Sequence, residues 1–150
     1  MLLTSIFNFF FLISYCVLQI EKKEFQKGDI VGSIYIEHYN FQHSVVYGFY
    51  QELLDQDLIG VQERGLMRNN LVFAGHNKKG VFSVLEKLAI DDIILIQLYG
   101  KESFYQVTER KVVDETEIQV LEETSVKQIT LLTCLWNPKL RLVIIAKKRE

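Results

Sequence analysis

A mostly β fold is the architecture this 150-residue sequence predicts, and three observations carry it. Apolar runs rich in Val, Ile, Phe and Tyr recur at short spacing after residue 28. Gly, Asn and Asp turn signals separate many of them. Helical patterning is confined to two short stretches, so strands and helices do not alternate regularly. Seven or eight strands of this kind indicate a closed barrel or a sandwich with two short helices, preceded by an N-terminal apolar helix.

The elements follow in order. Residues 29–36, DIVGSIYI, are β-branched and aromatic, with Gly32 marking a bulge or bend. HSVVYGFY at 43–50 is a second strand, and QELLDQDL at 51–58 has the composition of a short helix. NNLVFAGH at 69–76 is an apolar strand running into a Gly turn. Within 80–90, Val81, Val84, Leu85 and Leu88 fall at i, i+3, i+4 and i+7, the period of an amphipathic helix. Further strands are read at 92–100, 103–114 and 116–123. In 103–112 Phe104, Gln106 and Thr108 alternate with Tyr105 and Val107. QITLLTCL at 128–135 and LRLVIIAK at 140–147 complete the set; WNP between them is a turn signal, since Pro138 cannot donate to a ladder.

Composition narrows the function. Apolar residues make up 49% and charged residues 24%, globular values that exclude wholesale disorder. A net charge of -2 and a pI near 5.9 argue against nucleic acid as a partner. Two cysteines make no disulfide framework. The charge is unevenly placed, because residues 1–20 contain no Asp, Glu, Lys or Arg. As a helix they would rise about 30 Å, enough to cross a bilayer core. We read 1–20 as a membrane anchor or uncleaved signal-like helix, with a cleaved signal and a buried helix as the competing readings. Cys16 within it is a small apolar packing residue. Residues 21–27 are a short linker and 28–150 the folded domain. Lys22, Lys23 and Lys27 follow the segment, a bias that by itself would place the domain inside the cell.

The chemistry-bearing side chains are few. Past residue 20, Cys134 is the only cysteine, near the end of an apolar strand. His76 ends LVFAGH beside a Gly, and Arg141 opens the last strand. A thiolate is a nucleophile that a nearby imidazole can activate. A guanidinium stays charged and suits the negative oxygen that forms when an amide is attacked. If the last two strands form a hairpin, Cys134 and Arg141 lie close to its turn. The bland reading is a core cysteine, a capping histidine and a solvated arginine.

The strings AGHN (74–77), TLLTC (130–134) and LRLVIIA (140–146), in that order and in those strand contexts, resemble the sortase transpeptidases. GDIVGSIYI (28–36) is similar to the family's first strand, VVYG (45–48) to its second, and GVFSVLEKL (80–88) to the helix after the histidine. The resemblance spans about 28–147. It implies an eight-stranded sortase-type β-barrel and a cysteine transpeptidase. In that reading Cys134 attacks the Thr–Gly carbonyl of an LPXTG-like sorting signal and forms a thioester. His76 protonates the leaving amine and later deprotonates the incoming one; Arg141 holds the substrate backbone or the oxyanion. Ala74 and Thr133 stand where the family lines its substrate groove. The implied partners are surface proteins carrying a C-terminal sorting signal and an amine acceptor, a cell-wall precursor or a pilin Lys. No cofactor or metal is implied. Family topology places an N-terminal anchor in the cell membrane, through residues 1–20, and the enzyme outside the cell; it outweighs the lysine bias.

Departures from the family pattern are visible. Ile34 is followed by Tyr35 where an Ile-Pro is usual, and Asp91-Asp92 stands for Gly-Asp. The stretches from Val120 to Thr130 and from Cys134 to Arg141 are short, which implies altered or relaxed substrate choice. GHN leans toward class B and the small size toward class A or D, so the class stays open. Alternatives are a catalytically inert anchored barrel that binds sorting signals, and a hydrolytic cysteine peptidase. A metal site from His38, His43, His76 and Cys134 matches no common ligand spacing. Glu122 and Glu123 are a calcium-loop candidate weighed against a solvated turn. The many aromatic residues, Tyr35, Tyr39, Phe41, Tyr47, Phe49 and Tyr50 among them, are read as strand packing.

Overall fold

The computed structural model describes residues 24–63 and 68–150. The apolar segment 1–20, read as an anchor helix, lies outside the described residues. Among the described residues no helix is long and apolar enough to cross a membrane.

Eight strands close into a barrel: β1 (Ile30–Ile36), β2 (Phe41–Tyr47), β3 (Ile59–Val61), β4 (Asn70–Ala74), β5 (Ile93–Leu98), β6 (Lys101–Asp114), β7 (Gln128–Cys134) and β8 (Leu140–Lys148). Around the barrel the order is β1-β2-β3-β4-β7-β8-β6-β5. β2 and β3 pair in parallel, as do β4 and β7; the other ladders are antiparallel. Among the described residues, closure gives every strand a neighbour on both sides. Alternate residues of each strand fill the interior: Ile34, Ile36, Phe73, Ile94, Tyr105, Val107, Ile129, Leu131, Leu142 and Ile144 belong to one buried cluster. The alternation expected within 103–112 holds, with Tyr105 and Val107 inside and Phe104 and Thr108 exposed.

The count of eight matches the sequence reading, yet one strand is exchanged. The run 116–123 is not a strand: its centre, Ile118–Leu121, is a 3-10 turn. The cause is topological. β6 and β7 both lie antiparallel to β8, on its two sides, so they run in the same direction. The chain must therefore cross from the finishing end of β6 to the starting end of β7 outside the barrel, and 115–127 does so. In its place β3 is a strand of three residues, too short to show a pattern, buried throughout and paired with β2 and β4. The helix read at 51–58 shortens to α1 (Gln51–Leu54). The helix read at 80–90 is a 3-10 turn, Phe82–Glu86, between Gly80 and Asp91, both at positive φ. Two turns of apolar spacing cannot tell a 3-10 from an α-helix, because i and i+3 share a face in both. The apolar face itself is as read: Val81, Val84, Leu85 and Leu88 are all buried.

Gly32 carries the bulge expected of it, with the β1–β2 register shifting between Ile30 and Gly32. A Cβ there would stand 1.8 Å from the Gln97 carbonyl oxygen on β5, a backbone atom that cannot step aside. Gly32→Ala is therefore expected to destabilise the barrel by about 2 kcal/mol or more, as overpacking against a fixed neighbour does. Chemical denaturation of the two proteins, compared at equal slope, checks this.

Candidate functional site

The site forms where β4 and β7 end and β8 begins. β4 and β7 run in register from Asn70↔Gln128 to Ala74↔Leu132. The Gly75 N–H extends the ladder by donating to the Leu132 carbonyl (3.3 Å). The next residue on one strand is His76; two beyond Leu132 on the other is Cys134. Thr133 fastens the junction, its buried hydroxyl donating to the Gly75 carbonyl (2.7 Å). Cys134 is in turn the register partner of Arg141 across the β7–β8 ladder. The structure thus gathers His76, Cys134 and Arg141 at one end of three adjacent strands.

Local chemistry fixes each of them. A Cβ at Gly75 would come within 3.0 Å of the Phe82 ring, so the glycine lets the His-bearing turn sit against the 3-10 turn Phe82–Glu86. The His76 carbonyl accepts the N–H groups of Lys78 (2.9 Å) and Phe82 (3.0 Å). Its ring Nε2 lies 3.6 Å from Asp55 Oδ1. Cys134 is a half-buried free thiol. The β7–β8 turn closes as WNP suggested: Leu140 N–H donates to the Asn137 carbonyl (2.9 Å), and Asn137 Oδ1 accepts from Lys139 N–H (3.0 Å). Arg141 is held from two sides. Its Nη1 donates to the carbonyls of Pro138 (2.6 Å) and Leu140 (3.1 Å), and Nη2 lies 3.3 Å from Glu115 Oε2. A thiol, an imidazole and an anchored guanidinium at one mouth can perform acyl transfer: attack, proton transfer and anion stabilisation.

Ala74 and Thr133, read as lining a substrate groove, are both buried, 5% and 1% exposed. What Thr133 does in this structure is hold the Gly75–His76 turn. His38 and His43 lie on the β1–β2 side, separated by β3 from the strands that carry His76 and Cys134. Among the described residues no group of three His, Cys, Asp or Glu side chains converges on a metal-sized site.

Apart from Glu122 and Glu123, the residues that build the outer wall are ones the sequence reading did not single out. The 115–127 connection crosses the outside of β7 and β8, covering Thr130 and Val143, which face away from the interior yet are fully buried. A crevice of ≈ 80 Å³ remains, lined by Glu115, Ile118, Leu121, Leu132 and Arg141. Asn70 pins the connection: its Nδ2 donates to the carbonyls of Val120 (3.2 Å) and Glu122 (2.8 Å), while its Oδ1 accepts the Thr130 hydroxyl (2.7 Å). Arg68 Nη2 donates to the Leu121 carbonyl (2.7 Å). Glu123, weighed as a calcium ligand, is an acceptor for backbone: its Oε1 takes the N–H groups of Asn69 (2.8 Å), Asn70 (3.0 Å) and Thr124 (3.0 Å). No local pattern announces these contacts, whose partners are mostly more than fifty residues apart. A larger groove of ≈ 690 Å³ lies elsewhere, between the β1–β2 turn and β5; its ionisable groups, Tyr35, Glu37, His38, Asp91 and Asp92, include no thiol.

Hydrogen bonds to the charged form, the Thr124 N–H first and Asn70 next, hold the Glu123 carboxyl below its ordinary value of 4.5. The folded state therefore favours the ionised group. That contribution is complete above pH 4.5 and fades as pH falls through the lower folded value. Acidification through that window and Glu123→Gln should each speed hydrogen exchange at the Asn69 and Asn70 amides. About fivefold is expected, after correction for intrinsic rates, as charge-assisted bonds become neutral ones. Unchanged protection would remove Glu123 from this role.

Comparison with known proteins agrees with the geometry. The sortase domain model matches residues 34–149. YwpE of Bacillus subtilis (strain 168), named as a sortase, is 33% identical over 76 residues, 49% of this chain and 74% of the relative. Among solved structures, a Clostridium perfringens sortase D5 transpeptidase superposes with a TM-score of 0.78 at 26% identity, covering 88% of this chain and 86% of that one. Clostridium perfringens sortase C, solved with the C-terminal cell wall sorting motif, gives 0.75 at 25% identity over 85% and 74%. With the barrel, the strand order and a domain match over most of its length, the chain belongs to the sortase family, whose members are cysteine transpeptidases.

Proposed function

We propose that Cys134, His76 and Arg141 are the reacting groups of a transpeptidase that cleaves an LPXTG-like sorting signal and passes the acyl group to an amine. The observation that carries this reading is the Cys134↔Arg141 register pair beside the clamped Gly75–His76 turn. A sorting motif bound to a Clostridium perfringens neighbour supports the substrate class.

The reaction balances within these side chains. The Cys134 thiolate adds to the Thr carbonyl of the Thr–Gly bond, and Arg141 stabilises the oxyanion or holds the substrate backbone. The tetrahedral adduct collapses, the C–N bond breaks, and the His76 imidazolium gives its proton to the leaving amine. A thioester remains on Sγ. An incoming amine, from a cell-wall precursor or a pilin Lys, then adds to it and loses its proton to His76. Cleavage of the C–S bond returns the thiolate. Nucleophile, proton carrier and anion partner are all side chains, so the scheme calls on no cofactor. Residues 28–150 would be the catalytic barrel, 21–27 a linker, and 1–20 the anchor that holds the enzyme on the outer side of the cell membrane. The short 115–127 connection, already fastened to Asn70, would act as a fixed wall beside the reacting groups, consistent with altered substrate choice.

Hydroxylamine added with a panel of sorting-signal peptides should trap the acyl group as a hydroxamate, and Cys134→Ala should abolish it. A thiol-alkylating reagent should also label Cys134 in the folded protein. Peptide binding with no cleavage would make the domain an inert binding module. Cleavage at one rate with or without amine would make it a hydrolase. Labelling only after denaturation would remove Cys134 from the chemistry.

A further inference from the structure

We infer that Asp55 is a positioning residue for His76, acting from the α1–β3 corner; the inference rests on His76 being the proton carrier. Two segments face each other there with matching spacing. Asp55 Oδ1 lies 3.6 Å from His76 Nε2, and two residues along each segment Asp57 pairs with Lys78. The turn bearing the imidazole is thus joined to the corner at two successive points.

The corner is built to hold its carboxylates. α1 ends in a Schellman arrangement: Asp57 N–H donates to the Leu54 carbonyl (2.9 Å) and Leu58 N–H to the Leu53 carbonyl (3.4 Å), with Asp57 at φ 60°. The Asp55 N–H donates to the Gln51 carbonyl (2.9 Å), and its Oδ1 accepts Gln51 Nε2 (2.7 Å). Oδ1 is therefore aimed by α1 itself and is the oxygen that faces the imidazole.

Which nitrogen of a histidine carries its proton is set by the partner of the other nitrogen. With Nε2 toward a carboxylate, the neutral ring is held as the Nε2–H tautomer, and the Nδ1 lone pair is the base for thiol or amine. When the ring is an imidazolium, the same carboxylate is its counter-ion, so the proton given to the leaving amine comes from Nδ1. At 3.6 Å the contact is longer than a formed hydrogen bond, as catalytic contacts often are before substrate fills the site. Ionisable groups on the segments next to His76 are Asp57 and Lys78, paired with each other; Cys134 and Arg141 from the β7–β8 hairpin; and Glu86, which accepts from Asn77 Nδ2 (2.6 Å) on the next residue.

Exposed pairs of this kind contribute little to stability, so Asp55→Asn should leave the fold intact. The experiment measures peptide-to-amine transfer for Asp55→Asn, Asp55→Glu, Asp57→Asn and His76→Ala, with nitrogen-15 tautomer spectra of the histidines. Asp55→Asn should lower kcat about tenfold at near-constant KM, a fraction of what a whole acid–base group supplies. Asp55→Glu should recover most of the loss, Asp57→Asn should change kcat less than about twofold, and among the variants that keep His76 its Nε2–H signature should weaken only in Asp55→Asn. Wild-type kcat together with an unchanged tautomer in Asp55→Asn would overturn the assignment. So would an equal kcat loss in Asp57→Asn, which would assign the effect to the corner. Full activity in His76→Ala would sink the reading of His76 as proton carrier instead, and the tautomer spectra would still decide whether Asp55 orients the ring.

Discussion

Between β4 and β7 five residue pairs run side by side in the same direction, from Asn70↔Gln128 to Ala74↔Leu132, and the arrangement of the site follows from that ladder. Because the strands are parallel, their far ends coincide, and the residues that follow, His76 and Cys134, emerge together. Because β8 returns antiparallel to β7 through a tight turn, its first residues come back to the same end and bring Arg141. A one-residue slip in either ladder would turn Cys134 to the opposite face. The geometry resists such a slip through buried polar contacts: Thr133 to the Gly75 carbonyl at one end, Thr130 to Asn70 at the other. A buried polar group left without its partner costs more than the bond is worth when formed, so these contacts select register more than they add stability.

The same ladder explains the outer wall. With β6 and β7 both flanking β8, the chain has to travel the length of the barrel between them, and this stretch covers the outward faces of β7 and β8. Those strands are consequently buried on both sides, and this is why QITLLTC and LRLVIIA read as near-continuous apolar runs rather than as alternating ones. Polar groups under the wall, Asn70 and Thr130 above all, are the ones with an assigned partner.

How much of this was legible depended on the range of the information. Cys134, Arg141 and His76 sit in short strings whose strand contexts can be read locally, and the family resemblance rests on those strings. The WNP turn and the Gly32 bulge were legible for the same reason, since backbone chemistry is written at the position itself. The run 116–123 reads as a strand because Ile118 and Val120 alternate with polar residues; only the directions of β6, β7 and β8 exclude it. β3 is not legible because three residues carry no period, and the Phe82–Glu86 turn reads as an α-helix because both forms present the same face. The roles of Asp55, Asn70, Glu115 and Glu123 are not written in the sequence, as they depend on partners that only the closed barrel brings near.

The order of the strands around the barrel also bears on how the molecule is made. Among the described residues β4 has two register pairs with β3, Gly60↔Ala74 and Val61↔Phe73, and its other edge waits for β7. Some fifty residues of chain separate that edge from its partner, and β1 must likewise wait for β5 to seal its outer side. Non-local pairings of this kind close late and raise the entropic barrier to folding. A growing polypeptide halted before residue 128 would present an apolar strand, Asn70–Ala74, with one row of amides and carbonyls unmet, an open template for association with its own kind.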